Sequence, residues 1–294
     1  MCAPTRPQKN QRTELEIDDA VRADAARCLQ CGTPLCRVEG CVLGNPIPEI
    51  HDLVSRGHWE EASRRLHTTD NFPEFTGRFC AQSCQVVCAQ GHSDEAVPIR
   101  QIECHVAERA FAEGWIEPRP ASQASGRKVA IAGSGPAALT LAQQLARRGH
   151  EVTVYEQDRF PGDALREAAA DGDLDSHLID RRLRQLAREG VIFATSLLLG
   201  RDIRAGYLLR QCDALCLTLR TIGRSAPRAP EYVELAAQLD LECNDQGEIV
   251  SNDGCTSRER VFAIADLAAD LQPIASAIRE GRDAATTIHD RLCG

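Results

Sequence analysis

The sequence is poor in aromatic side chains and lacks both a basic cluster and a long hydrophobic run. Aromatic residues make up 4% of the 294 residues and Met occurs once, so we expect an aliphatic core. The net charge of −9 argues against a protein that binds nucleic acid or an anionic membrane surface. No apolar stretch approaches the roughly 18 residues that a membrane-spanning helix needs.

A secretory signal is also missing, because the first 13 residues are polar and contain no apolar segment. We therefore expect a cytoplasmic protein, in which thiols stay reduced. The chain nevertheless contains 14 cysteines, and eight of them lie between Cys28 and Cys104. Dense, regularly spaced cysteines in a reducing compartment indicate bound metal rather than disulfides.

The residue patterns divide the chain into a helical part and an α/β part. Helical spacing is found at residues 14–27, 48–56, 59–66, 80–89 and 98–113. A linker-like segment at 118–126 is followed by alternating strand and helix patterns, at 128–132, 136–148, 151–155, 178–188, 191–194, 214–219, 260–264 and 273–292. We expect an α-helical domain at residues 1–120 and an α/β Rossmann-like domain at 121–294.

The helical domain holds two runs of cysteines. The first is Cys28-x2-Cys31-x4-Cys36-x4-Cys41, and the second is Cys80-x3-Cys84-x3-Cys88. Each [4Fe–4S] cluster takes four ligands, so seven thiolates are one short of two clusters. Two other interpretations stay open at this point. Zinc needs four nitrogen or sulfur donors, and three cysteines spaced by four could simply line the core face of a helix.

A glycine-rich turn opens the α/β domain. Gly133-Ser134-Gly135-Pro136-Ala137-Ala138 lies between a predicted strand and a predicted helix, the context that a dinucleotide fingerprint requires. Gly133 permits the tight turn and Gly135 lets backbone amides approach a pyrophosphate. Glu156 ends the next predicted strand, where an acid can hold ribose hydroxyls.

Three segments make the chain similar to a known family. "RCLQCGTPLC", "TTDNFPEFTGRFCAQSC" and "GRKVAIAGSGPA" resemble the small subunit of bacterial glutamate synthase, whose module also occurs in dihydropyrimidine dehydrogenase. The resemblance is close over residues 27–156 and returns in "TSRERVFAIAD". It implies two [4Fe–4S] clusters in the helical domain, followed by an FAD domain into which an NADPH domain is inserted.

The resemblance also implies a ligand set for each cluster. One cluster is assigned Cys28, Cys31, Cys36 and Cys88. The other is assigned Cys41, Cys80, Cys84 and a fourth ligand at the position of Glu103. Cys104 is a rival for that position, but neighbours on a helix diverge by about 100°, so only one of the two can face the cluster.

The nucleotide-binding part departs from the family. The chain has Asp163 and Arg220 where the family has glycines, and of the family's final glycine-aspartate pair it keeps only the acid, in Ala265-Asp266. We therefore leave FAD binding open. The candidate FAD contacts are Gly133, Ser134, Gly135, Pro136, Ala137, Glu156 and Asp266. Only about residues 228–241 stand where the NADPH domain would be inserted, so we expect no NADPH binding.

These features predict an electron-transfer subunit that relays electrons through two [4Fe–4S] clusters within a larger oxidoreductase complex. A larger oxidoreductase subunit is the expected partner and a ferredoxin-like carrier is a further one, with neither nucleic acid nor membrane. No catalytic residue is assigned, and we expect a non-catalytic redox subunit of an oxidoreductase rather than an autonomous NADPH-dependent enzyme. The alternatives are a structural adaptor with a vestigial nucleotide fold, and a flavin reductase that uses a ferredoxin-type partner.

Overall fold

The computed structural model describes residues 14–92, 95–221, 230–267 and 270–294. The chain divides into two compact units. The helical unit comprises Met1–Glu117 and Gln272–Ile278, and the Rossmann unit comprises Pro118–Leu271 and Arg279–Gly294. No helix among the described residues is both long and apolar enough to span a membrane.

The helical unit contains six α-helices among its described residues up to 117. They are α1 (Glu14–Ala26), α2 (Ile47–Ser55), α3 (Trp59–Leu66), α4 (Pro73–Phe79), α5 (Ser83–Val86) and α6 (Ile99–Ala112), with a π-helical turn at Cys36–Gly40 and a 3₁₀ turn at Ala89–His92. Pro73 occupies the first turn of α4, where a missing N–H costs nothing. Ile50, Val54, Leu66 and Val106 are fully buried in the core between α2, α3 and α6.

The predicted helix over residues 80–89 is wrong. Gln82 has a left-handed backbone conformation with φ of 62°, and the helix that follows it is limited to Ser83–Val86. An α-helix cannot pass through a left-handed residue, so the cysteines of this run do not share one helix face. The sequence also left α4 unpredicted, because a seven-residue helix containing Gly and Thr has little periodic signal.

The Rossmann unit is built on a parallel sheet of five strands, in the order β3-β2-β1-β4-β5. The strands are β1 (Lys128–Ala132), β2 (Glu151–Glu156), β3 (Ile192–Thr195), β4 (Ala214–Thr221) and β5 (Val261–Leu267). The helices are α7 (Pro136–Arg147), α8 (Ala164–Ala170), α9 (Ser176–Arg188), α10 (Ala205–Gln211), α11 (Pro230–Leu239) and α12 (Ile274–Cys293), whose first residues belong to the helical unit. The strand order reverses between β1 and β4, the crevice where such folds bind ligands.

The predicted fold class, a helical domain followed by a Rossmann-like α/β domain, is confirmed. The predicted strands at 128–132 and 151–155 agree with the observed bounds to within one residue. The helices α8, α10 and α11 were not predicted, since each is short or lies in a segment without a clear apolar stripe. α11 occupies the junction at 228–241, of which residues 228–229 lie outside the described part of the chain.

Candidate iron–sulfur and nucleotide sites

Four cysteines from three segments of the helical unit come together in a first group. Cys28 and Cys31 follow α1, Cys36 begins the π-helical turn, and Cys88 follows α5. Burial raises the pKa of the Cys36 thiol to about 11, and the charges of Cys28, Cys88 and Cys31 raise it further. Burial also raises the pKa of Cys28, with added effects from Cys31 and Cys88. The four thiols therefore lie within electrostatic range of one another.

Three other cysteines form a second group around Glu103. Burial raises the pKa of Cys41 to about 12, and the carboxylate of Glu103 is the next cause. Burial and then Glu103 raise the pKa of Cys84, to which Cys41 and Cys80 also contribute. Burial is the largest cause of the raised pKa of Cys80, and the carboxylate of Glu103 raises it further. The carboxylate of α6 thus lies within electrostatic range of all three thiols, and Cys36 of the first group also acts on Cys84.

The two groups are brought close by one tight contact between the cysteine runs. A Cβ added at Gly40, in the π-helical turn, would lie 2.6 Å from the Cα of Cys84 in α5. No side chain fits at that distance, so glycine lets the segment that carries Cys36 and Cys41 lie directly against α5. The left-handed residue Gln82 then turns the chain between Cys80 and Cys84. Cys80 and Cys84 consequently join the second group, while Cys88 joins the first.

A hydrogen-bonded chain positions Glu103. The side chain is 7% exposed, and its Oε1 accepts a hydrogen bond from Nδ2 of Asn45 at 2.9 Å. Oδ1 of Asn45 accepts one from Oγ1 of Thr69 at 2.7 Å, and the backbone N–H of Asn45 donates to Sγ of Cys41 at 3.4 Å. Burial raises the pKa of Glu103 to about 8; the hydrogen bond from Asn45 lowers it and the charge of Asp70 raises it.

The sequence missed Asn45, Thr69 and Asp70 as parts of this site. Asp70 is fully buried, and its carboxylate accepts hydrogen bonds from the N–H of Phe72 and the hydroxyl of Thr76. The "GNP" and "TTDNFP" segments contained the signal, because a polar residue in a family-like segment next to cysteines indicates a contact to the ligands.

Cys104 faces a different neighbour from Glu103. A Cβ at Gly77 would overlap the Cβ of Cys104, which shows that Cys104 points at α4. Its Sγ accepts a hydrogen bond from Nη1 of Arg78 at 3.3 Å. Of the two rivals on α6, the structure therefore brings Glu103 to the thiols. The role of Glu103 as an iron ligand stays a prediction.

In the Rossmann unit, the glycine-rich turn joins β1 to α7 at the reversal of strand order. Gly133 has a φ of 103°, and a Cβ there would overlap Oγ1 of Thr218 on β4. Only glycine adopts that conformation in that space. The turn, the helix that follows it and Pro136 in the first turn of α7 form the predicted dinucleotide cradle.

The amides of this cradle are already hydrogen-bonded within the chain. Asp266, at the end of β5, is 1% exposed, and its two carboxylate oxygens accept hydrogen bonds from the N–H groups of Ala137 and Ala138, both at 3.1 Å. A Cβ at Gly135 would lie 2.6 Å from the same carboxylate. The amides at a helix N-terminus are the groups that bind a pyrophosphate. Here a carboxylate of the chain itself takes that place.

Glu156, the predicted ribose contact, is also hydrogen-bonded within the chain. Oε2 of Glu156 accepts a hydrogen bond from the hydroxyl of Ser134, and its Oε1 accepts one from the N–H of Asp158. Gly162 N–H donates to Oγ of Ser134 at 2.8 Å. Both Ser134 and Glu156 are buried. With its acid, hydroxyl and helix amides paired internally, the cradle as folded does not fit an FAD diphosphate.

Two further departures from the flavin pattern concern Asp163 and Arg220. Asp163 has a φ of 43°, so the backbone keeps a conformation that favours glycine although the residue is an acid. The side chain of Arg220 lies outside the described residues.

Comparisons with known proteins give two domain matches. Residues 7–115 match a family described as dihydropyrimidine dehydrogenase domain II, 4Fe-4S cluster. Residues 131–189 match a family described as NAD(P)-binding Rossmann-like domain. Together the two matches cover the cysteine runs, the glycine-rich turn and Glu156.

Curated relatives are named glutamate synthase [NADPH] small chain. The protein of Mycobacterium tuberculosis is 45% identical over 200 residues, 68% of this chain and 41% of the relative. That of Bacillus subtilis is 43% identical over 246 residues, 77% of this chain and 50% of the relative. That of Halomonas elongata is 31% identical over 308 residues, 98% of this chain and 64% of the relative. The chain thus spans about half the length of the relatives it matches, and the predicted resemblance is confirmed.

Proposed function

We propose that this homologue of the glutamate synthase small chains is an electron-transfer subunit, which passes single electrons through two [4Fe–4S] clusters within a larger oxidoreductase. The match to a 4Fe-4S domain over residues 7–115 supports a redox role. The proposal is carried by two neighbouring sets of side chains: the charges of Cys28, Cys31 and Cys88 act on Cys36, and the carboxylate of Glu103 acts on Cys41, Cys80 and Cys84.

Each set has the number of ligands that one cluster takes. Cys28, Cys31, Cys36 and Cys88 would hold the first cluster, and Cys41, Cys80, Cys84 and Glu103 the second. The clusters supply one-electron chemistry, while the chain sets their potential and spacing. A carboxylate is a harder ligand than a thiolate, so Glu103 would give the second cluster a potential different from that of the first.

Apolar side chains beside the cysteines support a role in a complex. Five of them are exposed although they flank the ligand positions: Leu29, Leu35, Val38, Val42 and Val86. Val86 is 81% exposed and Val38 61%. Apolar side chains clustered on a surface mark interaction sites. We infer that this apolar patch meets a larger oxidoreductase subunit, and that a ferredoxin-like carrier is the other partner in electron transfer.

A structural adaptor is the second candidate function. It is favoured by the self-paired cradle, in which Asp266 and Glu156 satisfy the groups that a cofactor would use. Under this proposal the Rossmann unit serves as a scaffold, and the clusters are not reduced and reoxidised during turnover of the complex. The same observation counts against a flavin reductase, since a buried carboxylate repels an anionic diphosphate.

The test begins with the cofactor content of the full chain purified without oxygen. We expect about eight iron and eight sulfide per chain, the content of two cubane clusters, and zinc in their place would overturn the proposal. Cys31→Ser and Cys84→Ser should each remove one cluster and leave the electron paramagnetic resonance signal of the other. Cys243→Ser, at an exposed thiol of the Rossmann unit, is the matched control and should retain all iron.

Reduction within the assembled complex separates the two candidate functions. An electron-transfer subunit should have its clusters reduced by the physiological donor on the timescale of turnover. Clusters that stay oxidised throughout turnover would favour the adaptor.

A further inference from the structure

A second set of metal-binding side chains lies in the Rossmann unit, away from its nucleotide cradle. The side chains of His150, His289 and Cys293 each place a donor atom within 4.8 Å of the other two. Within residues 14–92, 95–221, 230–267 and 270–294, no other three His, Cys, Asp or Glu residues meet this criterion. The set is independent of the cysteines proposed to bind iron.

Two rigid elements bring the three donors together. His289 and Cys293 are four residues apart on α12, so both side chains lie on one face of the helix. His150 ends the turn between α7 and β2. Its N–H donates to the carbonyl of Leu145 at 3.1 Å, and the neighbouring Gly149 accepts a hydrogen bond from the N–H of Ser125 at 2.8 Å. The turn therefore holds His150 against α12.

The imidazole of His150 is fixed before any metal arrives. The residue is 4% exposed. Nδ1 is 2.9 Å from Oγ of Ser125, and Nε2 is 2.9 Å from Nδ1 of His289. The two rings meet edge to face, with centroids 5.1 Å apart. Metal-binding histidines characteristically use their second ring nitrogen to bond a neighbouring polar group, which sets the orientation of the ring. Ser125 supplies that group here.

We propose that His150, His289 and Cys293 bind one divalent transition-metal ion, with zinc as the expected occupant. Two imidazoles and one thiolate are a borderline-soft donor set that suits zinc. Three protein ligands leave a fourth tetrahedral position for water. The ring nitrogens, now 2.9 Å apart, need to separate only to about 3.3 Å for Zn–N bonds of about 2.0 Å.

Proton balance follows from the contacts. The thiol of Cys293 loses its proton to solvent when the metal binds, as thiolate ligands do. Without the metal, one of the two imidazoles donates its N–H to the other across the contact between Nε2 of His150 and Nδ1 of His289. When the metal binds both of these nitrogens, the donating imidazole carries its proton on its other ring nitrogen instead. If that ring is His150, Nδ1–H then donates to Ser125. The ion would tie the α7–β2 turn to a helix about 140 residues further along the chain, and so stabilise that junction by mass action.

The test uses the full chain with its clusters in place, so that empty cysteine sites do not take up zinc. Iron-replete protein is incubated with excess zinc chloride without oxygen, desalted, and analysed for zinc and iron together. We expect about one zinc per chain, the occupancy of a single site. His289→Ala and Cys293→Ser should each lower retained zinc at least tenfold, with iron unchanged.

Cys243→Ser is the control, because it removes an exposed thiol of the same unit outside the proposed site. It should leave the zinc content at the level of the unmodified chain. Zinc retained at the level of the unmodified chain in His289→Ala or in Cys293→Ser, or no retained zinc in the unmodified chain, would overturn the proposal. Iron is measured in the same sample, so failure here is distinguishable from failure of the electron-transfer proposal.

Discussion

Asn45→Ala is expected to weaken the second cluster while leaving the first intact. The substitution removes the hydrogen bond from Nδ2 of Asn45 to Glu103, 2.9 Å long, and the acceptor of the Thr69 hydroxyl. Glu103 is nearly inaccessible to water, so solvent replaces the lost donor poorly. A hydrogen bond to a charged group contributes about 1.5–3 kcal/mol. That corresponds to a roughly 10- to 140-fold loss of cluster affinity, close to the range of about 10- to 100-fold found for groups that orient metal ligands.

The assay follows iron release from anaerobic protein to a strong chelator. In Asn45→Ala we expect two equal phases: half of the iron should leave 10 to 100 times faster than in the unmodified chain, and half at the unmodified rate. Asn244→Ala is the matched control, because this asparagine also bonds a glutamate, Glu248, but on an exposed loop. Iron release at the unmodified rate in both phases would refute the role of Asn45. Equal acceleration of both phases would show that the substitution unfolds the whole unit instead.

Three other outcomes are expected. His51 is buried, neither ring nitrogen has a hydrogen-bond partner among the described residues, and burial lowers its pKa to about 4. Because the unfolded chain takes up the proton near pH 6.5, stability should fall as the pH drops from about 6.5 to 4. His51→Leu should abolish that dependence and gain about 2 kcal/mol at pH 5, measured by denaturant unfolding at both pH values. Val86→Asp should weaken binding to the larger subunit at least tenfold while the iron content is retained. Ile192→Asp, also at an exposed apolar position, should leave binding unchanged. Equal weakening by both substitutions would refute the role of the apolar patch in binding the larger subunit. Asp266→Ala removes the carboxylate that bonds the first amides of α7 and should lower the free energy of unfolding by about 1 kcal/mol, measured as a lower melting temperature. One FAD bound per unmodified chain would refute the inference that the cradle is paired internally.

Local chemistry determined much of this protein from sequence alone. β1 and α7 could be located because apolar runs, Gly133 and Pro136 act over a few residues. The resemblance supplied the division of the cysteines into two sets, including Cys88 with the first. Close spacing such as Cys28-x2-Cys31 needs no tertiary information, since neighbours three apart reach one cluster from a single turn.

Only the tertiary structure decided how distant groups pair. The helix expected at 80–89 fails because Gln82 adopts a left-handed conformation, which a non-glycine residue rarely adopts and which its residue type did not predict. Asp266 reaches the amides of α7 from 129 residues away because β4 and β5 extend the sheet beside β1. Asn45 meets Glu103 because the fold of the helical unit brings the start of α2 to α6, and His150 meets His289 because α12 packs beside the α7–β2 turn. A polar side chain bonds to whichever group the fold places beside it. The number of residues between two positions in the sequence does not indicate how close they lie in the folded chain.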